Sequence, residues 1–169
     1  GRQVGIGASQ FRVIQPGLGG AFGGKSEPFD LEFCVAALSK KAGRPVKILY
    51  TREEVFYSHR GRHPMEMRFK VGAKKDGALT AVDSDILIDG GGYHSFGMIT
   101  TYYAGQLLPG PVNFPRYHFK ASRVYTNKPC RGPKRGHGSG HPQVGFECRM
   151  VAPAERHGMA PLGFRHTNP

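Results

Sequence analysis

An α+β fold, a mixed or antiparallel sheet with packed helices, is predicted by three features of the sequence. Met65, Met67, Phe69 and Val71 alternate with Glu66, Arg68 and Lys70, the period-two pattern of a half-buried strand. Asp76-Gly77 follows as a hairpin turn, and a return strand from Leu79 to Ile88 sets Thr80, Val82, Ser84, Ile86 and Ile88 on one face. Upstream, Phe29, Phe33, Cys34, Ala36 and Ala37 fall on one side of a helix. Helices mixed with at least one antiparallel hairpin define the class.

The remaining elements follow in chain order. Gly1–Gly7 resembles the tail of a helix whose start is missing, and Phe11–Gln15 reads as a short strand ended by Pro16-Gly17. Ser26 is the expected cap of the first full helix, with Pro28 in its first turn. Asp30 and Glu32 suit its N-terminal end, Lys40 and Lys41 its last turn, and Gly43 its C′ position. Pro45–Tyr50 reads as a strand, and Thr51-Arg52-Glu53-Glu54 as a capping box opening one or two helical turns. Gly90-Gly91-Gly92 breaks the return strand. Tyr93–Leu108 is aromatic-rich and helical after Gly97, Pro109–Pro115 is a loop, and His118–Tyr125 is another strand. Asn127–Pro142 is irregular. Phe146–Gly158 is helical, with Pro153 expected to kink or shorten it. Pro161–Pro169 shows no closing element, so 1–169 reads as one partial domain cut at both ends.

Composition narrows the function classes. Lys+Arg 24 against Asp+Glu 12 gives a formal charge of +12, but the basic residues are scattered, and the tightest cluster, Lys128–Arg135, holds only four. Aromatic-interleaved RNA signatures are absent, so nucleic acid is not the expected partner; a polyanionic cofactor or acidic partner chains are. No run reaches the roughly 20 apolar residues of a membrane span, and GRQVGIGASQ lacks a secretory apolar stretch, so a cytoplasmic protein is expected. Cys34, Cys130 and Cys148 then read as reduced thiols, two packed and one in a loop. Cys130 has Lys128, Arg131, Lys134 and Arg135 as cationic neighbours. His59, His63, His94 and His118 lack ligand spacing, and no protein-ligated metal is assigned.

The dominant motif is Gly17-Leu18-Gly19-Gly20-Ala21-Phe22-Gly23-Gly24-Lys25-Ser26, between a predicted strand and a predicted helix. Glycine loses more conformational freedom on folding than any other residue, so five in eight positions imply that the backbone is used, as a donor to an anionic group. One reading is a phosphate loop, Gly19-x-x-x-x-Gly24-Lys25-Ser26, with Lys25 on phosphates, Ser26 on magnesium and Asp89 as the magnesium-side carboxylate. The hairpin around Asp76-Gly77 argues against it, because phosphate-loop folds are built on parallel strands. A basic non-catalytic interaction domain is a third reading.

The complete loop together with four further segments resembles the molybdenum hydroxylases, the xanthine dehydrogenase and aldehyde oxidoreductase family. Gly19-Gly20-Ala21-Phe22-Gly23-Gly24-Lys25 is similar to the family's GG-x-FGG-K loop. Gly43-Arg44-Pro45-Val46, Arg52-Glu53-Glu54, Arg60-Gly61-Arg62-His63-Pro64, and Tyr125-Thr126-Asn127-Lys128-Pro129 with Arg135-Gly136-His137-Gly138 follow in the family's order. The resemblance implies a molybdopterin cofactor carrying molybdenum, in its cytosine dinucleotide form. Gly20, Ala21, Phe22, Gly23, Gly24 and Arg135 would bind it.

Phe22, Ser26, Tyr103 and His137 would line the substrate pocket, while the residues alone read Ser26 as a helix cap and His137 as a surface side chain. Xanthine oxidases typically carry Phe, Glu and Arg at the pocket positions. Ser26, Tyr103 and His137 therefore look more like the 4-hydroxybenzoyl-CoA reductase branch and favour an aromatic, non-purine substrate. The family's general-base glutamate lies in a C-terminal part beyond Pro169, so no catalytic residue is assigned here and the chain alone is expected to be inactive. Iron–sulfur clusters and flavin would reside in other domains or subunits, partners of this chain along with the remainder of the catalytic subunit.

Overall fold

The computed structural model describes residues 4–169, in two compact units, 1–59 and 60–169. The expected helix tail at Gly1–Gly7 lies partly outside the described residues; within them Val4 is in 3-10 conformation, and a short 3-10 turn, Ala8–Gln10, follows.

The first unit is built on α1 (Asp30–Ala42) and α2 (Arg52–Ser58). Helix α1 begins one turn later than Ser26 would place it. Its N-cap is Phe29, whose N–H donates to Glu32 Oε2 at 2.7 Å, while the Ser26 hydroxyl donates to Gly23 O at 2.7 Å. Ser26 therefore belongs to the glycine loop and is not the helix cap. Gly43 ends α1 in the left-handed region, φ 60°, its N–H donating to Ser39 O. Helix α2 opens on the expected reciprocal box: Glu54 N donates to Thr51 Oγ1 at 3.2 Å, and Thr51 N to Glu54 Oε2 at 2.6 Å. The strands expected at Phe11–Gln15 and Pro45–Tyr50 do not form. Alternation favours an extended backbone, but a strand also needs a hydrogen-bonded neighbour. Here Val13, Ile14 and Leu49 are exposed, and neither segment pairs with any described residue.

The second unit holds the sheet. Strands β1 (Met65–Ala73), β2 (Leu79–Asp89) and β3 (Tyr117–Val124) lie in the order β1-β2-β3, with β1 antiparallel and β3 parallel to β2. Gly77 makes the hairpin turn at φ +88°, and Asp76 Oδ1 accepts from Ala78 N. A register shift at Gly72/Ala73 pairs Ala73 with Leu79, which brings Leu79 into the core with Val82, Ser84, Ile86 and Ile88. Parallel pairing requires a crossover, and residues 90–116 provide it, carrying α3 (Gly97–Gln106).

Helix α4 (Gly140–Arg156) packs on β1 and α3 on β3. Phe69, Ile86, Ile88, Ala104, Leu108, Phe114, Phe146 and Met150 form one core. Helix α4 starts six residues before Phe146, because Pro142 sits in its first turn, where no intrahelical N–H is needed. Pro153 does not stop it, since the helix continues to Arg156.

The C-terminal segment does carry a closing element. Pro161 opens α5 (Pro161–His166), which seats Phe164 in the core. Asn168, 5% exposed, then bridges the hairpin: its Oδ1 accepts from Leu79 N at 2.7 Å, and its Nδ2 donates to Gly77 O at 3.0 Å and Phe164 O at 2.8 Å. Nothing in the local sequence points to this partner nearly ninety residues away. Asn168→Ala leaves a buried N–H and two carbonyls without their side-chain partner. It is expected to cost about 2 kcal/mol, roughly 4–8 °C in melting temperature. Scanning calorimetry checks this; a melting temperature equal to the parent's would show that Asn168 does not hold the hairpin.

Candidate cofactor and substrate site

In the first unit the glycine loop holds three of four consecutive residues in left-handed backbone: Gly20 at φ 120°, Phe22 at 51° and Gly23 at 91°. For a phenylalanine this conformation is strained, and such strain concentrates at functional sites. The loop is fixed by its own carbonyls. Ala21 O accepts from Gly24 N at 2.8 Å, Gly23 O from the Ser26 hydroxyl, and Gly20 O from Lys25 Nζ at 2.9 Å. The Gly24 amide is therefore spent inside the turn, whereas those of Gly20, Ala21 and Gly23 have no hydrogen-bond partner among the described residues. The Phe22 ring lies against Gly20, where a Cβ would come within 2.9 Å of it. A cavity of about 570 Å³ adjoins the loop, lined by Ala21, Gly24, Lys25, Ser26, Phe29, Tyr50 and His59 among others. These features fit an anionic cofactor approached by main-chain donors.

They do not fit the phosphate-loop reading. No strand enters the loop, Lys25 is engaged with Gly20 O, and Asp89 is already occupied. Its Oδ1 accepts from Gly91 N and the Thr126 hydroxyl, and its Oδ2 from Lys128 Nζ at 2.8 Å. The Lys128 ammonium first, then Thr126 and the Gly91 N–H, hold its carboxyl well below the usual carboxylate range. Asp89 thereby fastens the end of β2 to the Thr126–Lys128 segment.

In the second unit Arg135, His137 and Tyr103 are placed by segments the sequence marks only as motifs. Gly61 bridges to Arg131, and Arg62 donates to Arg135 O at 2.8 Å and Gly136 O at 3.4 Å, pinning the loop that carries His137. Gly136 and Gly138 are both left-handed, at φ +69° and +74°. At Gly138 a Cβ would collide with Thr100 O, so glycine allows the loop to close onto α3. His137 is half-buried rather than a surface side chain. Its ring stands edge-on to Phe96, Tyr103 and His63, at centroid distances of 6.4, 6.5 and 6.0 Å. Its Nε2 lies 2.9 Å from Thr100 Oγ1. Tyr103 and His137 are thus together; Phe22 and Ser26 belong to the first unit.

His63 is 2% exposed and its pKa is lowered to about 4, by burial first and then by Arg123, His137 and Arg131, against an opposing pull from Asp89. Arg62, Phe96 and Thr100 have clear positional roles that sequence reasoning missed. Arg62 appeared only inside the Gly-Arg-His-Pro match, and nothing local distinguishes a helix-interior threonine. Cys34 and Cys148 are exposed on their helices rather than packed, and Cys130 is half-buried, its Sγ 3.6 Å from Arg131 O. Among the described residues no helix is long and apolar enough to cross a membrane.

The family model of the molybdopterin cofactor-binding domain matches residues 2–169. The chain belongs to this family. It is a molybdopterin-binding catalytic-subunit segment of the molybdenum hydroxylases. It is 38% identical over 160 residues to the nicotinate dehydrogenase large molybdopterin subunit of Eubacterium barkeri, covering 95% of this chain and 37% of that one. The aldehyde oxidoreductase from Desulfovibrio gigas superposes with a TM-score of 0.84 at 36% identity, over 89% of this chain and 16% of that one. Quinoline 2-oxidoreductase from Pseudomonas putida 86 superposes with a TM-score of 0.75 at 27% identity, over 90% of this chain and 20% of its own. This molybdopterin-binding segment therefore spans well under half the length of these relatives. The α+β class with a mixed sheet is that of the aldehyde oxidoreductase domain.

Proposed function

We propose that this chain is the cofactor-cradling part of a molybdenum-dependent oxidoreductase catalytic subunit, one partial domain over 1–169. Its substrate would be an aromatic or related small molecule, hydroxylated by water or reduced in the reverse sense. The observation that carries the reading is the left-handed run Gly20–Gly23. It turns the main chain so that the Gly20, Ala21 and Gly23 amides keep their donors for an anionic group.

Gly20, Ala21 and Gly23 would donate to the cofactor's polar groups, Phe22 would flank it, Gly24 would close the turn, and Arg135 would supply positive charge. Bound in its cytosine dinucleotide form, the molybdopterin centre supplies two-electron redox chemistry. Phe22, Ser26, Tyr103 and His137 would orient the substrate. Two relatives are named for nicotinate and quinoline, which supports a ring substrate; the likeness of Ser26, Tyr103 and His137 to the 4-hydroxybenzoyl-CoA reductases favours a non-purine one. Iron–sulfur and flavin domains or subunits would carry electrons onward in the cytoplasm, and the chain alone would show no turnover.

The test is retention of metal and pterin by the chain co-purified with the remainder of its subunit. The wild-type complex is expected to hold molybdenum, and Gly23→Val, which strains a left-handed position, to hold roughly tenfold less. Equal molybdenum and pterin in both complexes would reject the loop as the cradle.

A further inference from the structure

We propose that the outer edge of β3 is a strand-addition site, taken by an extended segment from the remainder of the catalytic subunit. Strand β3 ends the sheet on one side and pairs with β2 alone among the described residues. Along a paired strand, successive residues turn their main-chain groups to opposite sides. Arg116 O accepts from Val82 N and Val124 O from Gly90 N, both at 2.9 Å, so the even-numbered residues of this stretch face β2. The N–H and C=O groups of Tyr117, Phe119, Ala121 and Arg123 therefore point outward, and none has a hydrogen-bond partner among the described residues.

This edge lacks the devices that keep exposed strands from pairing. Its register with β2 runs unshifted from Tyr117 to Val124 and it contains no proline, whereas β1, at the opposite edge, carries the shift at Gly72/Ala73. Its polar side chains are drawn onto β2: His118 Nδ1 lies 2.7 Å from Asp83 Oδ1, and Lys120 Nζ 3.7 Å from Asp85 Oδ2. On the helix-covered face, Tyr117, Phe119, Ala121 and Arg123 continue the rows of Val82, Ser84, Ile86 and Ile88. That row is buried on β2, yet no residue of β3 is. A groove of about 470 Å³ lies on this face, where Met98 and Tyr102 of α3 meet Phe119 and the exposed Tyr125. A further strand satisfies the outward main-chain groups, and its alternate side chains, apolar on the α3 side, fill the groove. The relatives hold well over half their length outside the part that this chain matches, which is where the strand comes from. The choice of occupant rests on the function proposed above, with this chain as one part of a larger subunit.

Amide hydrogen exchange, resolved residue by residue, tests this on the full chain and on its complex with the remainder of the subunit. The amides of His118, Lys120 and Ser122 are expected to be slow in both. Those of Phe119, Ala121 and Arg123 are expected to be fast in the chain and slower by at least roughly a hundredfold in the complex. Fast exchange at these three in the complex overturns the proposal, as does slow exchange in the chain alone; slowing that grows with chain concentration would assign the edge to a second copy instead. Proline gives a second reading, because only an outward N–H can be spared. Ala121→Pro should keep the chain's urea midpoint near the parent's and lower recovery of the complex roughly tenfold, whereas Ser122→Pro should lower the midpoint itself. Recovery of Ala121→Pro equal to the parent's overturns the proposal, and should that variant fail to fold, exchange in the parent complex still decides. Equal molybdenum in the Gly23→Val complex would defeat the glycine loop as the cradle and leave this edge standing; fast exchange at Ala121 in a complex that holds molybdenum would do the reverse.

Discussion

Phe146→Ala is expected to destabilise the chain by about 3–5 kcal/mol, a large share of the roughly 5–15 kcal/mol available to a domain of this kind. Phe146 is fully buried on α4, and its ring meets Phe69 of β1 and Phe114 of the 109–116 loop edge-to-face, at 5.9 and 6.0 Å. It therefore joins the covering helix, the sheet and the crossover at one point. Truncation removes the transfer energy of the ring, forfeits two aromatic contacts, and leaves a void that rigid neighbours cannot fill. Met67 and Phe69 already press against Gly145, where a Cβ would come within 2.8 Å of Met67, so the helix has little room to settle inward. Val144, two residues away and 64% exposed, is the control: Val144→Ala is expected to stay within about 0.5 kcal/mol of the parent. Urea unfolding of the full chain reads both. A Phe146→Ala midpoint matching that of Val144→Ala would mean that the core is not organised around this ring.

Local patterns specify local geometry, and the sequence was legible to that extent. The alternation from Met65 and the Asp76-Gly77 turn encode β1, the hairpin and β2, because each contact joins residues close in the chain. The Thr51–Glu54 box and Gly43 likewise mark real helix ends. Alternation alone misleads at Phe11–Gln15 and Pro45–Tyr50, since it says nothing of a partner. It is equally silent on direction, so the parallel pairing of β3 with β2 emerges only from the crossover. Asn168 reads as a tail residue until its three buried bonds to distant backbone are seen.

At the site, glycine density locates the loop correctly, yet not which amides it leaves available. That depends on the turn closing between Ala21 and Gly24, and on Ser26 serving Gly23 rather than α1. Motif likeness brought His137 forward, whereas the groups that orient it, Thr100 and Arg62, act through contacts 37 and 73 residues long and leave no local trace.

Acidification from pH 6.5 towards 4 is expected to weaken the fold through His63, by roughly 3 kcal/mol once the window is crossed. The sign follows from proton counts. The unfolded chain binds a proton at this imidazole near pH 6.5, while the folded chain resists until about 4, so between these values the unfolded state holds more protons and stability rises with pH. The contribution is complete above 6.5, falls as pH drops through the window, and changes no further below 4. Its cause is burial of a ring faced by Arg123, Arg131 and His137, with only Asp89 favouring the cation. Asp89 acts in a lower window. Its depressed carboxyl adds stability above the unfolded carboxylate value, near 3.9, which is lost as pH falls through the folded value. His141, lowered by burial and Arg62, tilts the curve in the same sense as His63, so the informative quantity is the difference between the parent and His63→Gln. That difference should steepen by up to about 1.4 kcal/mol per pH unit between 6.5 and 4 and be flat above 7. A His63 ring titrating near 6.5 by proton NMR, or parallel stability curves for the two proteins, would show that this histidine is solvated and does not set the pH response.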